Sequence, residues 1–415
     1  MKNVKDSGIN YCGSIPAHWK VMPNKYIFNL SKKIVDNPDN WQLLSLTTKG
    51  IKTKSDGDTT GKVPENYNGY QIVQPDDLVM CLFDLDVSAV FAGRSTISGM
   101  ISPAYKVYKT KKDIADTHYM DYWFSYVFSG RHYKQFSKSL RYTVNTDEFG
   151  QLLTILPPLS EQIAIVKFLD SSCEKIERII SDIQKQIIIL KNYRNSIITE
   201  TVTKGVADNN KLYEIDMGWI TRIPSHWKVS RIGSLYKLRN TKVSDKDYPP
   251  LSVTMQGILP QLETAAKTNA HDDRKLVCKG DFAINSRSDR RGSCGISPYD
   301  GSISLINTVL CPLENMNPDY YNWLFHTEAF ADEFYKWGHG IVDDLWTTGW
   351  QEMKNILIPV PPLNEQEQIA AYLNKKCFDI DSIINDKRRE IDVLEDYKKS
   401  LIFEYVTGKK EVPNE

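Results

Sequence analysis

Two long stretches of the chain repeat apolar residues at steps of three and four positions. In the first stretch the repeating residues are Ile176, Ile179, Ile183, Ile187, Leu190, Tyr193 and Ile197. In the second they are Ile380, Ile383, Leu394, Tyr397 and Leu401. This spacing puts the side chains on one stripe of an α-helix and is typical of a coiled coil. The pattern predicts two long amphipathic helices.

The two stripes belong to segments that repeat each other. Residues 157–203 align without a gap with residues 361–407, at an offset of 204, and roughly twenty of the 47 aligned positions are identical. A second repeat lies upstream, as Ile-Pro-Ala-His-Trp-Lys-Val over 15–21 and Ile-Pro-Ser-His-Trp-Lys-Val over 223–229. The sequence between these repeats is mostly dissimilar. Two similar halves of this kind indicate a common scaffold that carries two different functional regions.

Each long helix is predicted to begin at a Pro-Pro pair, because proline is not tolerated inside a helix. Ser160 is a plausible N-cap for the first helix, and Asn364 with Glu367 predicts a capping box for the second. A helix over 160–203 would be about 65 Å long at ~1.5 Å per residue. Antiparallel pairing would bury the isoleucine and leucine residues of the two stripes, which form the predicted interface. The alternative is that each helix packs on its own domain.

The regions outside the long helices show the same predicted order of three strands and a helix. In the first region these elements fall at 42–46, 77–83, 103–108 and 118–128. In the second they fall at 251–253, 281–285, 302–311 and 318–330. Gly, Asp and Thr turns separate the strands. The sequence therefore predicts an α+β protein in which two domains of α/β type are joined to an antiparallel coiled coil, as a tandem pseudo-repeat.

This organisation divides the chain into four predicted segments. The first domain covers 1–155 and is followed by the first long helix over 156–205. The second domain covers 206–357, and the second long helix with a C-terminal tail covers 358–415.

Composition narrows the function classes. The 415-residue chain has 52 basic and 52 acidic residues, so bulk positive charge does not provide nucleic-acid binding, although a local basic groove remains possible. No apolar stretch is long enough to cross a membrane, and the N-terminal residues do not resemble a signal peptide. The expected location is the cytoplasm.

Several strings that could indicate an enzyme have simpler interpretations. The seven cysteines form no Cys-x-x-Cys pair and no histidine cluster accompanies them, so no metal site is predicted. The chain has no phosphate-binding loop of a motor enzyme. The string Asn317-Pro318-Asp319-Tyr320 differs by one residue from the Asn-Pro-Pro-Tyr motif of amino-methyltransferases, and it is interpreted as a helix start. No catalytic residues are predicted.

Polar and basic loops follow predicted strands at matched places in the two regions. Arginine can bind guanine with two hydrogen bonds or hold a phosphate, and serine and asparagine suit both base edges and the DNA backbone. The candidate DNA-binding residues are Lys52, Lys54, Arg94, Ser95, Arg141, Tyr142, Ser286, Arg287, Ser288, Arg290, Arg291 and Trp346. The alternative for each loop is a solvated surface turn.

These strings resemble the specificity subunit of Type I restriction-modification systems. The resemblance rests on Pro-Pro-Leu-Ser-Glu-Gln (157–162) and Pro-Pro-Leu-Asn-Glu-Gln (361–366), each at the start of a long helix. It also rests on Ile-Pro-x-His-Trp before each domain, on the string over 280–292 and on Gly-His-Gly-Ile-Val-Asp-Asp-Leu-Trp over 338–346. It covers essentially the whole chain.

The resemblance implies a DNA-reading protein that performs no chemistry itself. Each target recognition domain would read one half of a bipartite, asymmetric site, and the paired helices would set the gap between the half-sites. Two modification subunits, which hold S-adenosylmethionine and methylate adenine, would dock mainly on the helices. Two motor-nuclease subunits would complete the restriction complex. No cofactor is expected on this chain.

Two other interpretations remain open. The chain could be a stand-alone coiled-coil DNA-binding regulator, which would bind its site tightly without enzyme partners. It could also be a split piece of a larger enzyme whose methyltransferase module lies on another chain.

Overall fold

A computed structural model of the chain describes residues 3–48, 50–54, 66–88, 90–135, 142–207, 210–261, 271–287, 291–313, 316–340 and 346–413. The chain divides into two compact units. Unit 1 consists of residues 1–183 and 389–415, and unit 2 consists of residues 184–388. Each long helix therefore contributes residues to both units.

Unit 1 begins with short strands and helices that precede the first long helix. The strands are β1 (Val4–Asp6), β2 (Ser14–Pro16), β3 (Lys20–Pro23), β4 (Phe28–Leu30), β5 (Leu44–Thr47), β6 (Gly50–Thr53), β7 (Gln71–Val73), β8 (Leu78–Met80), β9 (Ala92–Arg94), β10 (Gly99–Ile101), β11 (Lys106–Thr110) and β12 (Leu153–Leu156). The helices are α1 (Asn24–Ile27), α2 (Thr117–Ser129) and α3 (Thr146–Gln151), with 3₁₀ turns at Pro38–Asn40 and His132–Gln135. The first long helix is α4 (Leu159–Lys204).

Unit 2 has a similar but not identical order of elements. Its strands are β13 (Leu212–Glu214), β14 (Arg222–Pro224), β15 (Lys228–Arg231), β16 (Tyr236–Arg239), β17 (Lys242–Val243), β18 (Leu251–Thr254), β19 (Gly257–Pro260), β20 (Arg274–Val277), β21 (Phe282–Asn285), β22 (Cys294–Ile296), β23 (Gly301–Ser304), β24 (Asn307–Pro312) and β25 (Leu357–Val360). Its helices are α5 (Pro318–Phe325), α6 (Glu328–Lys336) and α7 (Trp350–Met353), with a 3₁₀ turn at Ile232–Ser234. The second long helix is α8 (Leu363–Val406).

The sheets of the two units share one pairing scheme. The four-stranded sheet has the order β4-β11-β8-β9 in unit 1 and β16-β24-β21-β22 in unit 2. The hairpin β5/β6 corresponds to β18/β19, and the pair β3/β12 corresponds to β15/β25. The pairings between these named strands are antiparallel, which differs from the parallel sheets of an α/β fold. The α+β class and the tandem repeat predicted from the sequence are confirmed.

Two predicted elements of unit 2 are each divided in the structure. The strand predicted over 302–311 is two strands, β23 and β24, joined by a tight turn. The helix predicted over 318–330 is α5 followed by α6, because Thr327 accepts a hydrogen bond from the backbone nitrogen of Phe330 and caps a second helix. Asn317 caps α5 through the backbone nitrogen of Tyr320, and Pro318 lies in the first turn, as predicted.

Each unit has a large aromatic core beneath one helix of its domain, α2 in unit 1 and α5 in unit 2. In unit 1, α2 buries Tyr119, Trp123 and Phe124 against residues of the four-stranded sheet and of the long helices. In unit 2, α5 buries Tyr320 and Tyr321 in the corresponding core. Each fully buried side chain of this size contributes about 2–3 kcal/mol to stability. These cores also include residues of α4 and α8, so the long helices are part of each folded unit.

In unit 1, the beginning of α4 packs against the end of α8. The rings of Phe168 and Tyr405 lie 4.4 Å apart, and the Lys398 ammonium binds the Glu177 carboxylate. Tyr119 donates a hydrogen bond of 3.1 Å to the Val406 carbonyl, which fixes the end of α8 to α2. Partner numbers on α8 fall as those on α4 rise, so the helices run antiparallel.

In unit 2, the end of α4 packs against the beginning of α8 in the same way. The Arg194 guanidinium lies 3.2 Å from the Asp381 carboxylate, and Lys387 donates a hydrogen bond to Gln186. Tyr320 donates a hydrogen bond of 2.9 Å to the Val202 carbonyl, which matches the contact of Tyr119 in unit 1. The predicted antiparallel coiled coil is confirmed.

The helix–helix interface differs from the prediction at one position on each helix. The buried or half-buried predicted residues are Ile176, Ile183, Ile187, Leu190, Ile197, Ile380, Leu394 and Leu401. Ile179 and Ile383 are instead 48% and 46% exposed, whereas the neighbouring Ile384 is buried and Ile180 packs against the core of unit 1. The prediction was wrong because both members of each Ile-Ile pair fit a three- or four-residue step.

The starts of the long helices also correct the sequence prediction. The carbonyls of Pro158 and Pro362 accept hydrogen bonds of 3.0 Å from the backbone nitrogens four residues later. Ser160 and Asn364 therefore lie inside the first turns, so the predicted N-cap and capping box are wrong. Pro158 and Pro362 cost no hydrogen bond at these positions, because a backbone nitrogen at the start of a helix has no partner within the helix.

Candidate nucleic-acid interface

The repeated sequence strings attach each unit to its long helix. In unit 1, the Glu161 carboxylate lies 2.8 Å from His18 Nε2 and accepts a 2.9 Å hydrogen bond from Trp19 Nε1. In unit 2, Glu365 lies 2.7 Å from the matching His226 and accepts a hydrogen bond of 2.9 Å from Trp227. These contacts explain why His-Trp and Glu recur together in the sequence.

A buried glutamine beside each glutamate adds a second attachment. Gln162 accepts a hydrogen bond of 2.8 Å from the backbone nitrogen of Asp116, and it donates one of 2.9 Å to the Pro157 carbonyl. Gln366 makes the same two contacts with Asn317 and Pro361, each at 2.8 Å. Each glutamine therefore joins the start of a long helix to the start of a domain helix. The Pro-Pro-Leu-x-Glu-Gln strings form structural joints rather than DNA contacts.

In unit 2, the predicted DNA-binding residues Ser286 and Arg287 directly follow the end of β21. Ser286 is half-buried and its hydroxyl lies 2.9 Å from that of Thr308. The Ser286 carbonyl accepts a hydrogen bond of 2.9 Å from the nitrogen of Thr348, and Arg287 forms a backbone bridge with Thr347. This backbone pairing brings the loop after β21 next to the closing segment that contains Trp346. The Arg287 side chain is exposed.

Arg291 and Trp346 meet at one aromatic residue that the sequence did not single out. The Arg291 guanidinium lies 5.4 Å from the centre of the Tyr335 ring and forms an ion pair with Asp332. The Trp346 ring stacks on the Tyr335 ring with their centres 5.6 Å apart, and its indole nitrogen donates a hydrogen bond of 2.9 Å to the Tyr335 carbonyl. We call Arg291, Asp332, Tyr335 and Trp346 the unit 2 cluster. Three of these residues, Arg291, Tyr335 and Trp346, line a small cavity together with Ser286 and Arg287.

In unit 1, the predicted residue Tyr142 lies in a comparable group. The Lys134 ammonium lies 5.1 Å from the centre of the Tyr142 ring and 3.1 Å from the Asp86 carboxylate. The rings of Tyr133 and Tyr142 meet edge to face at 6.0 Å, and the Tyr133 hydroxyl donates a hydrogen bond of 3.4 Å to Asp86. We call Asp86, Tyr133, Lys134 and Tyr142 the unit 1 cluster.

Arg94 has a structural environment in unit 1. Its guanidinium lies 3.5 Å from the Asp76 carboxylate, and its backbone nitrogen donates a hydrogen bond of 3.2 Å to Asp121. Burial raises the pKa of the Asp121 carboxyl group to about 6, and the hydrogen bond and positive charge of Arg94 oppose that rise. The Arg94 side chain remains one-quarter exposed, so it keeps limited access to a ligand.

Ser95 corrects the prediction of a DNA contact. Its side chain is fully buried, and its hydroxyl donates a hydrogen bond of 2.7 Å to the Ile97 carbonyl. Ser297 makes the same kind of contact with the Tyr299 carbonyl in unit 2, at 2.6 Å. This serine stabilises the turn after β9 and has no surface with which to reach DNA.

The remaining predicted residues of unit 1 lie on the β5/β6 hairpin. Lys52 is exposed on β6, and Lys54 is half-buried just after the strand ends. The hydroxyl of Thr47 donates a hydrogen bond of 2.8 Å to the Gly50 carbonyl, and Thr254 does the same with Gly257 at 2.9 Å in unit 2. The two hairpins therefore have the same turn, whereas only the unit 1 hairpin presents lysine on its second strand.

Some site predictions lie outside the described residues, namely Arg141, Ser288 and Arg290. No sequence pattern singled out Tyr133, Lys134, Asp332 or Tyr335. These side chains come from the 3₁₀ turn at His132–Gln135 and from α6, which differ between the two repeats. Sequence comparison of the repeats therefore gave no signal for them.

Both long helices carry apolar side chains that neither unit covers. Ile179 and Tyr397 are exposed in unit 1, and Tyr193 and Ile383 are exposed in unit 2. Each pair corresponds at the offset of 204 to the other pair. Exposed apolar residues that recur at fixed helical positions are typical of a surface that binds another protein.

Among the residues that the structure describes, no group of three or more histidine, cysteine, aspartate or glutamate side chains is placed to hold a metal ion. Within the same residues, the long helices are too polar to cross a membrane.

Known proteins match both the sequence and the fold. A family model described as the Type I restriction modification DNA specificity domain matches residues 224–393. A Methanocaldococcus jannaschii protein provisionally named the type I restriction enzyme MjaX specificity subunit is 26% identical over 64% of this chain and 61% of its own length. The MjaVIII specificity subunit of the same organism is 28% identical over 46% of each chain. The matches thus span about half to three-fifths of these relatives.

Two solved structures share the fold over nearly the whole chain. A chain described under "complex assembly and conformational transition of the type I R-M system" has a TM-score of 0.71, with 13% identity, over 95% of this chain and 99% of that chain. The HsdS subunit from Thermoanaerobacter tengcongensis has a TM-score of 0.52, with 14% identity, over 95% and 98%. Two α+β units on paired long helices therefore define a known class of fold.

The family model and the named relatives agree with this fold. The resemblance to the specificity subunits of Type I restriction-modification systems inferred from the sequence is therefore confirmed.

Proposed function

We propose that this chain selects the DNA sequence on which a Type I restriction-modification complex acts. Each unit reads one half of a bipartite, asymmetric site. The observation that carries this proposal is the contrast between matched joints and unmatched surface residues. Glu161 and Glu365 make the same contacts, whereas the unit 1 and unit 2 clusters present a lysine and an arginine at comparable places.

Different exposed residues on a shared scaffold suit an asymmetric target. Lysine offers one flexible charged group, whereas arginine offers a planar fork of donors that matches the O6 and N7 atoms of guanine. Aromatic rings beneath both cations limit the directions in which they can point. Two such units in one chain can therefore distinguish two different short sequences.

The paired helices serve as the spacer between the half-sites and as the docking surface for two modification subunits. The exposed pairs Ile179/Tyr397 and Tyr193/Ile383 support this role, because one related pair is available in each unit. S-adenosylmethionine and the methyl transfer to adenine N6 belong to the modification subunits. Two motor-nuclease subunits complete the restricting form of the complex, which acts on DNA in the cytoplasm. The chain itself is non-catalytic.

The test is to co-express the chain with the methyltransferase subunit of the same genome and to map methylated adenines by single-molecule sequencing. The proposal predicts one bipartite motif with two different halves and a fixed gap. A complex that methylates a single continuous sequence would contradict it. Tight, specific DNA binding by the chain alone, without methylation in its presence, would identify a stand-alone regulator.

A further inference from the structure

The unit 1 and unit 2 clusters occupy matched places in the repeat. Tyr142 and Trp346 correspond at the offset of 204, and each lies just before a short helix, α3 in unit 1 and α7 in unit 2. In both clusters a cation lies 5.1 or 5.4 Å from the centre of a tyrosine ring. A carboxylate pairs with the cation in both, Asp86 with Lys134 and Asp332 with Arg291. The same three-part arrangement is thus built twice from different residues.

This arrangement holds a cation in one direction while leaving it accessible. The side chain of Arg291 is 47% exposed and that of Lys134 is 35% exposed, although both are paired. A carboxylate on one edge of a guanidinium and a ring on its face restrict the side chain, which lowers the entropy lost on binding. The other edge of the guanidinium can then donate to a ligand.

We propose that the two clusters are matched base-reading positions, one in each half-site. Arg291 donates two hydrogen bonds to O6 and N7 of a guanine in the half-site read by unit 2. Asp332 and Tyr335 are positioning residues that act through Arg291. Lys134 makes the matched contact in unit 1, to an acceptor atom on a base edge, with Asp86 and Tyr142 as its positioning residues. This inference rests on the proposed function and names the groups that give it specificity.

A base contact and a phosphate contact at Arg291 predict different results. A phosphate contact would support binding to every sequence, so its loss would weaken recognition uniformly. A guanine contact would determine one base pair. Replacing Arg291 would then relax the motif at that pair alone, by about 5- to 150-fold in discrimination.

The experiment is a methylation map of the complete complex for Arg291→Ala, Arg291→Lys and Asp332→Asn, with Lys134→Ala and Asp86→Asn as matched variants of unit 1. We expect Arg291→Ala and Arg291→Lys to lose the preference for one G·C pair in one half-site. Asp332→Asn should weaken the preference at the same pair by a smaller factor. Lys134→Ala and Asp86→Asn should change only the other half-site, which serves as the internal control for folding.

Three results would overturn the inference. They are a uniform fall of methylation at all sites in Arg291→Ala, an Arg291→Lys variant with an unchanged motif, or an Asp332→Asn change at a different position from that of Arg291. These results differ from failure of the proposed function itself. In that case the wild-type complex would give no bipartite motif for any variant to alter.

Discussion

Units 1 and 2 keep the same hydrogen bonds but build them from groups of different charge. In unit 1, Asp121 accepts a hydrogen bond of 3.2 Å from the nitrogen of Arg94. In unit 2, Asn322 accepts the matching bond of 3.3 Å from the nitrogen of Ile296. The backbone contact needs only an acceptor oxygen, which both residues supply. Position in the fold is therefore retained while charge has changed.

The contact from the domain helix to the long helix shows the same substitution. Tyr122 donates a hydrogen bond of 2.8 Å to Asp170 in unit 1, and Trp323 donates one of 2.9 Å to Asn374 in unit 2. The scaffold therefore depends on geometry. Unit 1 uses a carboxylate at this contact, whereas unit 2 provides a neutral version of the same joint.

The largest effect is expected from lengthening a long helix, because both units contain part of it. Inserting four residues into α4 near Gln184 lengthens the helix by about 6 Å and leaves the residues of both clusters unchanged. We expect a methylation motif whose two halves are unaltered and whose gap is different. An altered half-site in the methylation map would show that the helices do more than set the gap.

The next-largest effect is expected from two adjacent isoleucines on α8, one of which is buried and the other exposed. Ile384→Ala removes a buried side chain of α8, and we expect unit 2 to lose about 2–4 kcal/mol of stability. Ile383→Ala, one residue away, should change stability by less than about 0.5 kcal/mol because its side chain is half exposed.

Chemical denaturation of the two variants measures that difference. The Ile383→Ala variant has a second readout, because it should weaken binding of the modification subunit without the loss of stability expected for Ile384→Ala. Equal stability losses for both variants would place Ile383 in the interface after all.

A smaller effect is expected from the matched glutamates. Glu161→Ala and Glu365→Ala each remove the acceptor for a tryptophan and the partner of a histidine, at a cost of about 2 kcal/mol each. The loss should be larger for Glu365, whose side chain is 23% exposed against 43% for Glu161. Hydrogen exchange, followed separately in each unit, measures this loss of stability. Loosening of both units by either single variant would contradict the assignment of one joint to each unit.

The smallest effect concerns the pH dependence of unit 1. The Asp121 pKa of about 6 lies above the ~3.9 of an unfolded chain, so the folded state holds the proton more tightly. Stability from this group is present below about pH 4 and is lost as pH rises through about 6.

Asp121→Asn should therefore stabilise unit 1 above pH 6 and leave it unchanged near pH 4. Because Asp121 keeps part of its surface exposed, we expect a gain of about 1–2 kcal/mol, less than the full pKa shift implies. Thermal unfolding at pH 4 and pH 8 measures the gain. Asn322→Asp is the converse change in unit 2 and should destabilise it at pH 8.

The sequence predicted the repeat, the long helices and most of the interface because these depend on periodic apolar residues. It placed Ile179 and Ile383 in the interface because adjacent isoleucines satisfy the period equally well. It selected Arg291 and Trp346 but not Asp332 or Tyr335. The last two lie on α6, and only the packing of that helix brings them to Arg291, which no local sequence pattern shows. Ser95 was misassigned because a polar residue beside an arginine in a turn has the same sequence whether it is exposed or buried.

The central claim is that each unit reads its own half-site from an interchangeable scaffold. Replacing residues 15–157 with a second copy of 223–361 tests it, because the exchange ends within repeated strings. The tyrosine of the copied α5 would donate its hydrogen bond to the Val406 carbonyl, as Tyr119 now does, in place of the Val202 carbonyl that Tyr320 contacts. The methylation map of this chain should show two copies of the unit 2 half-site and none of the other. Persistence of the original unit 1 half-site would contradict the account.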